Sequence, residues 1–564
     1  MFDKSARYWH TLRHLKPVQF YGRVWFRLYR PRVGALVRHV QLRLPLGAWQ
    51  TPAARAPSML GSTTLTFLNR TRELPLQGGW NNAALEKLWL YNLHYFYDLN
   101  ARNAPARLEW HQALIARWIA ENPPANGNGW EPYPTSLRVV NWVKWLAVGN
   151  APVPGMDNSL MLQSGWLAGR LERHLLGNHL FANAKALVFA GLYFEGPQAA
   201  DWLVTGLKII SRELTEQVLA DGGNFERSPM YHAIFLEDVL DLINAARYWP
   251  GLVPDAQVAS WCGTAERMLN WLSGMTHPDG EIALFNDAAF GVAPGVAELM
   301  AYAMSLGVVH RSSSCLAPRN GEAVVIACAA QQSLPTVIRL ADSGYVRLQN
   351  KDAVAFLDVA PIGPDYLPGH AHADTLSFEL SVFGQRVVVN GGTSRYGLGP
   401  ERLRERGTAA HSTVEVSGAD SSEVWSGFRV ARRAYPFDLA LQPEIGRVAC
   451  SHDGYRRLSG APVHRRAWQM QASGLRVTDT VEGGMHSAVA RYIFHPAVQI
   501  THAESMTWHL TLAGGQPVQI TVLRGQGCVA PTSYAPEFGM QLPTRVLEVE
   551  LVEGVAEVVI SWAG

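Results

Sequence analysis

The sequence predicts an all-α domain followed by a large antiparallel β domain, most simply a sandwich. Three observations predict it. From about Leu85 to Leu306 apolar residues recur at helical spacing in runs separated by Gly, Pro and Asn. Beyond a linker centred on Ser313 the period switches to two, with turn residues every ten or so positions. The 564 residues also exceed what a single core supports.

The chain divides into an N-terminal arm over 1–84, a helical domain over 85–308, a linker over 309–323 and a β domain over 324–564. The net charge of +2 hides a basic arm: in the first 43 positions Lys4, Arg7, Arg13, Lys16, Arg23, Arg27, Arg30, Arg32, Arg38 and Arg43 face only Asp3. Such an arm suits an anionic polysaccharide, a membrane surface or nucleic acid. Its interleaved Trp9, Phe20, Trp25, Phe26 and Tyr29 favour packing on the helical domain instead. Runs such as ALEKLWLYNLHYFYDLNA, FANAKALVFAGLYFEG and MYHAIFLEDVLDLINAARYW then make eight or so helices, and segments such as AVAFLDVA and RVLEVELVEGVAEVVISWA make short strands. Cys262, Cys315, Cys328, Cys450 and Cys528 are odd in number and scattered, which predicts neither a disulfide framework nor a thiolate metal site. Charges and histidines break every apolar run of the first twenty residues, and no later run reaches about 18 apolar residues, so a cytoplasmic or membrane-peripheral protein without a transmembrane segment is expected.

Three joints between helices carry more functional groups than connections need. Trp130, Glu131, Tyr133 and Arg138 are the groups that stack a sugar ring and fork its carboxylate, or else a loop anchored by buried aromatics. Asn178 and His179 precede a helix that holds Asn183 and Lys185, and Asn178 doubles as a candidate cap. Glu226, Arg227, Tyr231 and His232 open another helix. Amide, imidazole and phenol without an evident carboxylate pair fit β-elimination from a uronate. That reaction needs the C6 carboxylate neutralised, a base for the C5 proton and an acid for O4.

In the β half, Asp365 to Gly397 places His370, His372 and Asp374 on alternate positions, which face the same way on an extended backbone. Leu376, Phe378 and Leu380 follow in alternation, then a turn at Gly384 and the run Val387 to Val389, so a hairpin entered by a polar rim is expected.

With GNHLFANAKAL, FERSPMYH, GHAHADTLSFEL, NGGTSRYG and RGTAAHSTVEVSG in this order, the chain resembles the heparinase II/III family of polysaccharide lyases, including alginate-cleaving relatives. The resemblance implies an incomplete α/α toroid followed by an antiparallel β-sandwich, with an acidic polysaccharide or oligosaccharide in the cleft between them. It implies that Asn178 and His179 neutralise the carboxylate and that Tyr231 acts as base, acid or both. His370 is brought across the cleft, and Tyr396 corresponds to a second tyrosine. Trp130, Glu131, Tyr133, Arg138, Glu226 and Arg227 stand as substrate-binding candidates. The resemblance also implies a structural zinc, not required for the chemistry, held by His372, His411 and an Asp position that is Asn390 here. A neutral amide is a poor zinc ligand, so either Asp374 substitutes or a hydrogen-bonded cluster braces the hairpin. Nucleic acid is not expected as a partner, and a homodimer is an assembly to test. Two rival functions stay open: a toroid glycosidase drawing acids from Glu131, Glu226, Asp287 and Asp374, and a non-catalytic polysaccharide-binding or assembly factor. The missing export signal fits family members that build or trim a cell-surface polysaccharide.

Overall fold

A computed structural model of the chain describes residues 2–33, 40–309, 325–326, 335–502 and 504–563. Ser313, Cys315 and Cys328 lie outside the described residues, and with them most of the linker.

The arm begins with α1 (Phe2–Leu12) and α2 (Pro17–Leu28) and continues as extended chain with one hairpin, Thr64–Phe67 on Arg70–Glu73. Nine further helices among the described residues follow: α3 (Lys87–Tyr95), α4 (Leu108–Glu121), α5 (Pro132–Ala147), α6 (Met156–Ala168), α7 (Gly177–Tyr193), α8 (Pro197–Gln217), α9 (Pro229–Tyr248), α10 (Asp255–Gly274) and α11 (Val296–Ser305). The arm's extended part does pack on these helices. Arg55 pairs with Glu237, with Nη1 on Oε1 at 2.8 Å, and Asn244 brackets the backbone of Gln50.

The centre of the helical half is α7. Every residue of it except Asn178 and His179 is buried, because its sequence is apolar or small all round and so has no face to give to water. It approaches α8 closely through glycines: a Cβ at Gly191 would lie 2.7 Å from Leu203, and one at Gly206 2.8 Å from Ala184 O. The buried cation of Lys185 is matched by Asp238 at 2.7 Å and Asp241 at 2.6 Å, so it belongs to the core of the helical half.

The β half is two stacked antiparallel sheets. The inner one runs in the order Gln526–Tyr534, Leu542–Glu550, Ala488–Phe494, Gln385–Val389, Phe378–Val382, Ala353–Asp358, Tyr345–Gln349, Thr336–Leu340 and Val325–Ile326, with Val414–Val416 paired to Ala488–Phe494. The outer one runs Pro436–Gln442, Arg447–His452, Val463–Gln471, Gly474–Glu482, Val555–Trp562, Pro517–Arg524, Thr507–Thr511 and Gln499–His502. Apolar side chains of both fill the space between them. The hairpin expected at Phe378 is present, turning at Gly384 with φ +77°, but it does not alternate in burial: all of Phe378–Val382 is buried. The inner sheet lies between two layers, so Phe378 and Leu380 enter the sandwich core. Glu379 and Ser381 face the helical half, where His277 Nε2 meets Glu379 at 2.8 Å and Nδ1 meets Ser381 at 2.7 Å. The polar rim before it is not a strand, since Leu376 takes φ +62° and the chain turns there.

Candidate active site

A cleft of about 710 Å³ runs between the two halves and is lined by Asn178, His179, Tyr133, Glu226, Tyr231, His370 and Tyr396 among others. On the helical side the chain enters α7 through Leu176 at φ +61° and Gly177 at φ +52°. Glycine suits 177, because φ there lies in the left-handed region and a Cβ would sit 2.5 Å from Leu367 Cδ2 of the opposite wall, which would have to shift. Asn178 is not the cap expected from sequence: Leu176 holds that position and no side chain caps the helix. Asn178 and His179 instead lie in the first turn, where unpaired N–H groups and the positive end of the helix favour an anion.

The His179 ring packs 4.5 Å from that of Tyr133, and its Nδ1 lies 3.2 Å from Glu172 Oε1. Burial pulls the imidazole down, but the charge of Glu172 outweighs it and raises the His179 pKa above its ordinary value. Glu172 is itself fixed by Asn183, whose Nδ2 donates to Oε2 at 3.1 Å and whose Oδ1 accepts from Glu172 N at 2.8 Å. Asn183 therefore serves the site from one layer behind.

Tyr231 stands in the first turn of α9. The cap Ser228 accepts Tyr231 N–H on Oγ at 3.2 Å and donates from Oγ to the Asp287 carbonyl at 2.5 Å. The Tyr231 and Tyr396 hydroxyls are 2.9 Å apart, and the His370 ring stacks on Tyr231 at 3.9 Å. Burial pushes the Tyr231 phenol well above its ordinary range, with Tyr396 and Asp287 adding to the effect, and burial does the same to Tyr396. Both hydroxyls keep their protons.

Asp287 organises the β-domain side. Its Oδ2 is 2.9 Å from His370 Nδ1 and its Oδ1 is 2.8 Å from His372 Nε2, so the two histidines do face the same way and converge on one carboxylate. Arg402, on α12 (Pro400–Arg406), forks both oxygens, with Nη2 on Oδ2 at 2.7 Å. Burial drives the Asp287 carboxyl up, yet Arg402 and the two imidazoles overcome it and hold the group well below the usual carboxylate range. A carboxylate only accepts, so His370 Nδ1 donates, and the ring's Nε2 is turned toward Glu226, whose Oε2 is 3.8 Å away. Glu226 Oε2 is buried with no hydrogen-bond partner among the described residues, and burial raises its carboxyl despite His370 and His179.

Four substrate-binding candidates do not reach the cleft. Trp130 is buried, with its indole N–H on Asn122 O at 3.1 Å. Arg138 is fully buried, donates to Gln163 Oε1 at 2.8 Å and Gly129 O at 2.7 Å, and lies 3.8 Å over the Trp118 ring. Glu131 is bound by Lys87 at 3.0 Å and by Tyr91. Arg227 ties the halves together through its Nε on Ser343 O at 2.9 Å and its carbonyl, which accepts from Tyr345 at 2.7 Å. Trp130 and Arg138 are enclosed by the packing of α5, whereas Glu131 is half-exposed and Arg227 is spent on the contact between the halves. Tyr133 and Glu226 do line the cleft.

Beneath the site, His372 Nδ1 and His411 Nε2 face each other at 3.3 Å, and Asn390 Oδ1 accepts from Ser412 N at 3.3 Å. Asp374 does not join them; it accepts from Asn286 N at 3.0 Å. No group of three His, Cys, Asp or Glu among the described residues is arranged to hold a metal. Two imidazoles and a neutral amide do not fit a structural zinc, so the cluster stands as a hydrogen-bonded brace.

Residues 158–301 match the model "Heparinase II/III N-terminus" and 333–563 match "Heparinase II/III-like, C-terminal", together more than half of the chain. A heparin-sulfate lyase of Bacteroides stercoris is 24% identical over 366 residues, covering 62% of this chain and 51% of that protein; the chain thus spans about half the length of this curated relative. A heparin-sulfate lyase of Pedobacter heparinus is 29% identical over 138 residues, covering 23% of this chain and 19% of that protein. The crystal structure of heparinase III aligns with a TM-score of 0.66 at 15% identity, covering 96% of this chain and 88% of the other. That of heparan sulfate lyase HepC from Pedobacter heparinus gives 0.56 at 16%, covering 97% and 88%. These likenesses establish the architecture as an α/α toroid with a β-sandwich, and the ordered pair of family matches establishes the lineage: this chain belongs to the heparinase II/III family.

Proposed function

We propose that the chain is a polysaccharide lyase that cleaves an acidic, uronate-containing glycan of the glycosaminoglycan class by β-elimination. One observation carries this: the hydrogen-bonded Tyr231–Tyr396 pair and the His370 imidazole meet in the same cleft as Asn178 and His179 at a helix start. Asn178, the His179 cation and the α7 N–H groups hold the C6 carboxylate and drain charge from C5. The C5–H bond breaks, with its proton going to His370 Nε2. Its electrons form the C4–C5 double bond, and the C4–O4 bond breaks as Tyr231 gives its proton to O4. The high phenol pKa suits a donor, and the lone pair that Asp287 orients suits an acceptor.

A glycosidase needs two free carboxylates across the bond, about 5–10 Å apart. Asp287 is committed to Arg402 and two imidazoles, Glu131 to Lys87 and Tyr91, and Asp374 to Asn286; of the two glutamates that line the cleft, Glu537 accepts from Asn69 Nδ2 at 2.8 Å, which leaves Glu226 without a committed partner. The test is to incubate the protein with a panel of uronate polymers and their carboxyl-reduced forms, following the ultraviolet absorbance of the new double bond. Absorbance should rise only with the carboxylated forms. Chain shortening without unsaturation would restore the hydrolase, and binding without shortening the non-catalytic factor.

A further inference from the structure

Six of the eight aromatic side chains exposed among the described residues lie between Tyr8 and Tyr29, and both exposed tryptophans, Trp9 at 66% and Trp25 at 62%, are in this stretch. On α2, Phe20, Tyr21, Val24, Trp25 and Leu28 are spaced i, i+1, i+4, i+5 and i+8, which puts them on one side of the helix, all exposed. The other side does the packing. Gln19 Nε2 donates to Tyr366 O at 3.1 Å, the Phe26 ring lies 4.4 Å from His174, and a Cβ at Gly22 would come within 2.9 Å of His174 Cβ. Arg170 fastens the helix end by donating to the carbonyls of Phe26 and Tyr29. A surface helix normally turns its apolar side inward, so α2, firmly held, is inverted.

Beside the stripe, Tyr21, Val24, Trp25 and Leu28 line a groove of about 630 Å³ whose far wall carries Arg170 and Arg173. Lys4, Arg13, Arg27, Arg30 and Arg32 are exposed on the same arm. An aliphatic and aromatic stripe bordered by cations matches the boundary between acyl chains and anionic headgroups. A soluble acidic glycan would use the cations but has no use for an open Val24 and a Leu28 that is 79% exposed. A second copy would bring two like-charged arms together.

We propose that α1 and α2 dock the chain on an anionic membrane surface, with Trp25 and Leu28 entering the acyl boundary and the arginines meeting lipid phosphates. The inward sides of the same helices place Leu12, Leu15, Gln19 and Arg23 in the cleft wall, so docking sets the cleft beside the bilayer. The experiment is sedimentation of the full chain with vesicles of phosphatidylcholine alone or mixed with phosphatidylglycerol, at low and high salt, for the wild type and for Trp25→Ser/Leu28→Ser. The expected result is binding to the anionic vesicles that weakens roughly tenfold on the neutral ones, and again roughly tenfold in the double variant. A melting temperature equal to wild type certifies the fold of the double variant. Should it melt early, Arg27→Glu/Arg30→Glu supplies the same loss through charge. No binding to either vesicle, equal binding to both, or a dimer abolished by Trp25→Ser/Leu28→Ser without any vesicle binding would overturn the proposal.

Discussion

Two buried polar networks in the β half share one wiring diagram and differ in a single residue. At the cleft, Arg402 forks Asp287, Asp287 receives His372 Nε2, and His372 Nδ1 meets His411 Nε2. Between the sheets, Arg466 forks Asp479 at 2.7 and 3.0 Å, Asp479 receives His464 Nε2 at 2.7 Å, and His464 Nδ1 meets His452 Nε2 at 3.2 Å. Burial pushes all four of these histidines down, so the pairs are neutral, while Arg466 and His464 overcome burial to keep Asp479 ionised, as Arg402 does for Asp287. The inner network is closed, since its last nitrogen, His452 Nδ1, accepts Gly454 N–H at 3.1 Å. The cleft network adds His370, whose side chain is 15% exposed. A buried Arg–Asp–His–His unit is thus a structural device, and on the proposed function it takes part in the chemistry only where a further imidazole carries it to the cleft.

The deepest break is expected at the phenol on which that further imidazole packs. Tyr231→Phe should lower kcat by about 10²–10⁴-fold with an unchanged melting temperature, because only the proton-carrying hydroxyl is lost; a rate within a few-fold of wild type would make that phenol structural. Asp287→Asn and Asp479→Asn should each cost about 3–5 kcal/mol in denaturant unfolding, since each strands a buried arginine. Only Asp287→Asn should also lower kcat in the protein that remains folded, and equal loss in both would erase the distinction between the networks.

A smaller effect concerns pH. The His179 cation is present below its raised pKa and is lost as pH climbs through it, so removing the charge that raises it in Glu172→Gln should move the alkaline limb of kcat/KM to lower pH, with a few-fold loss above neutrality. An unmoved limb would show that the carboxylate is held by neutral groups alone. The smallest change sharpens the brace: Asn390→Asp should let added zinc raise the melting temperature by a few degrees where the wild type shows no response. Elemental analysis of the wild type finding stoichiometric zinc would refute the brace.

Much of this was legible, and the failures share a cause. Period and turn signals located both halves, and the crowding of His370, His372 and Asp374 pointed to a site there. Asp287 was named only as an acid of the rival glycosidase; its bond to the histidines was hidden because it sits in a short irregular stretch 83 residues away, and Arg402 was not singled out at all. Arg138 misled for the complementary reason. Pattern arguments assign polar residues to water, but 13 of the 16 residues of α5 are buried, and its arginine is satisfied by carbonyls that no sequence displays. The arm was half right. Its extended part packs through Arg55 and Gln50, but of Trp9, Phe20, Trp25, Phe26 and Tyr29 all except Phe26 are exposed, so the aromatics that suggested packing mostly do not supply it.

The Ser228 hydroxyl acts mechanically as a rivet. It joins the backbone that carries the phenol to the carbonyl of the residue that aims the imidazole. Hydrogen bonds weaken steeply beyond a few tenths of an ångström of stretch, so the two walls cannot slide past each other at this point without losing one of its two bonds. On the proposed function, the distance between the proton donor on one wall and the proton acceptor on the other is therefore set by the fold.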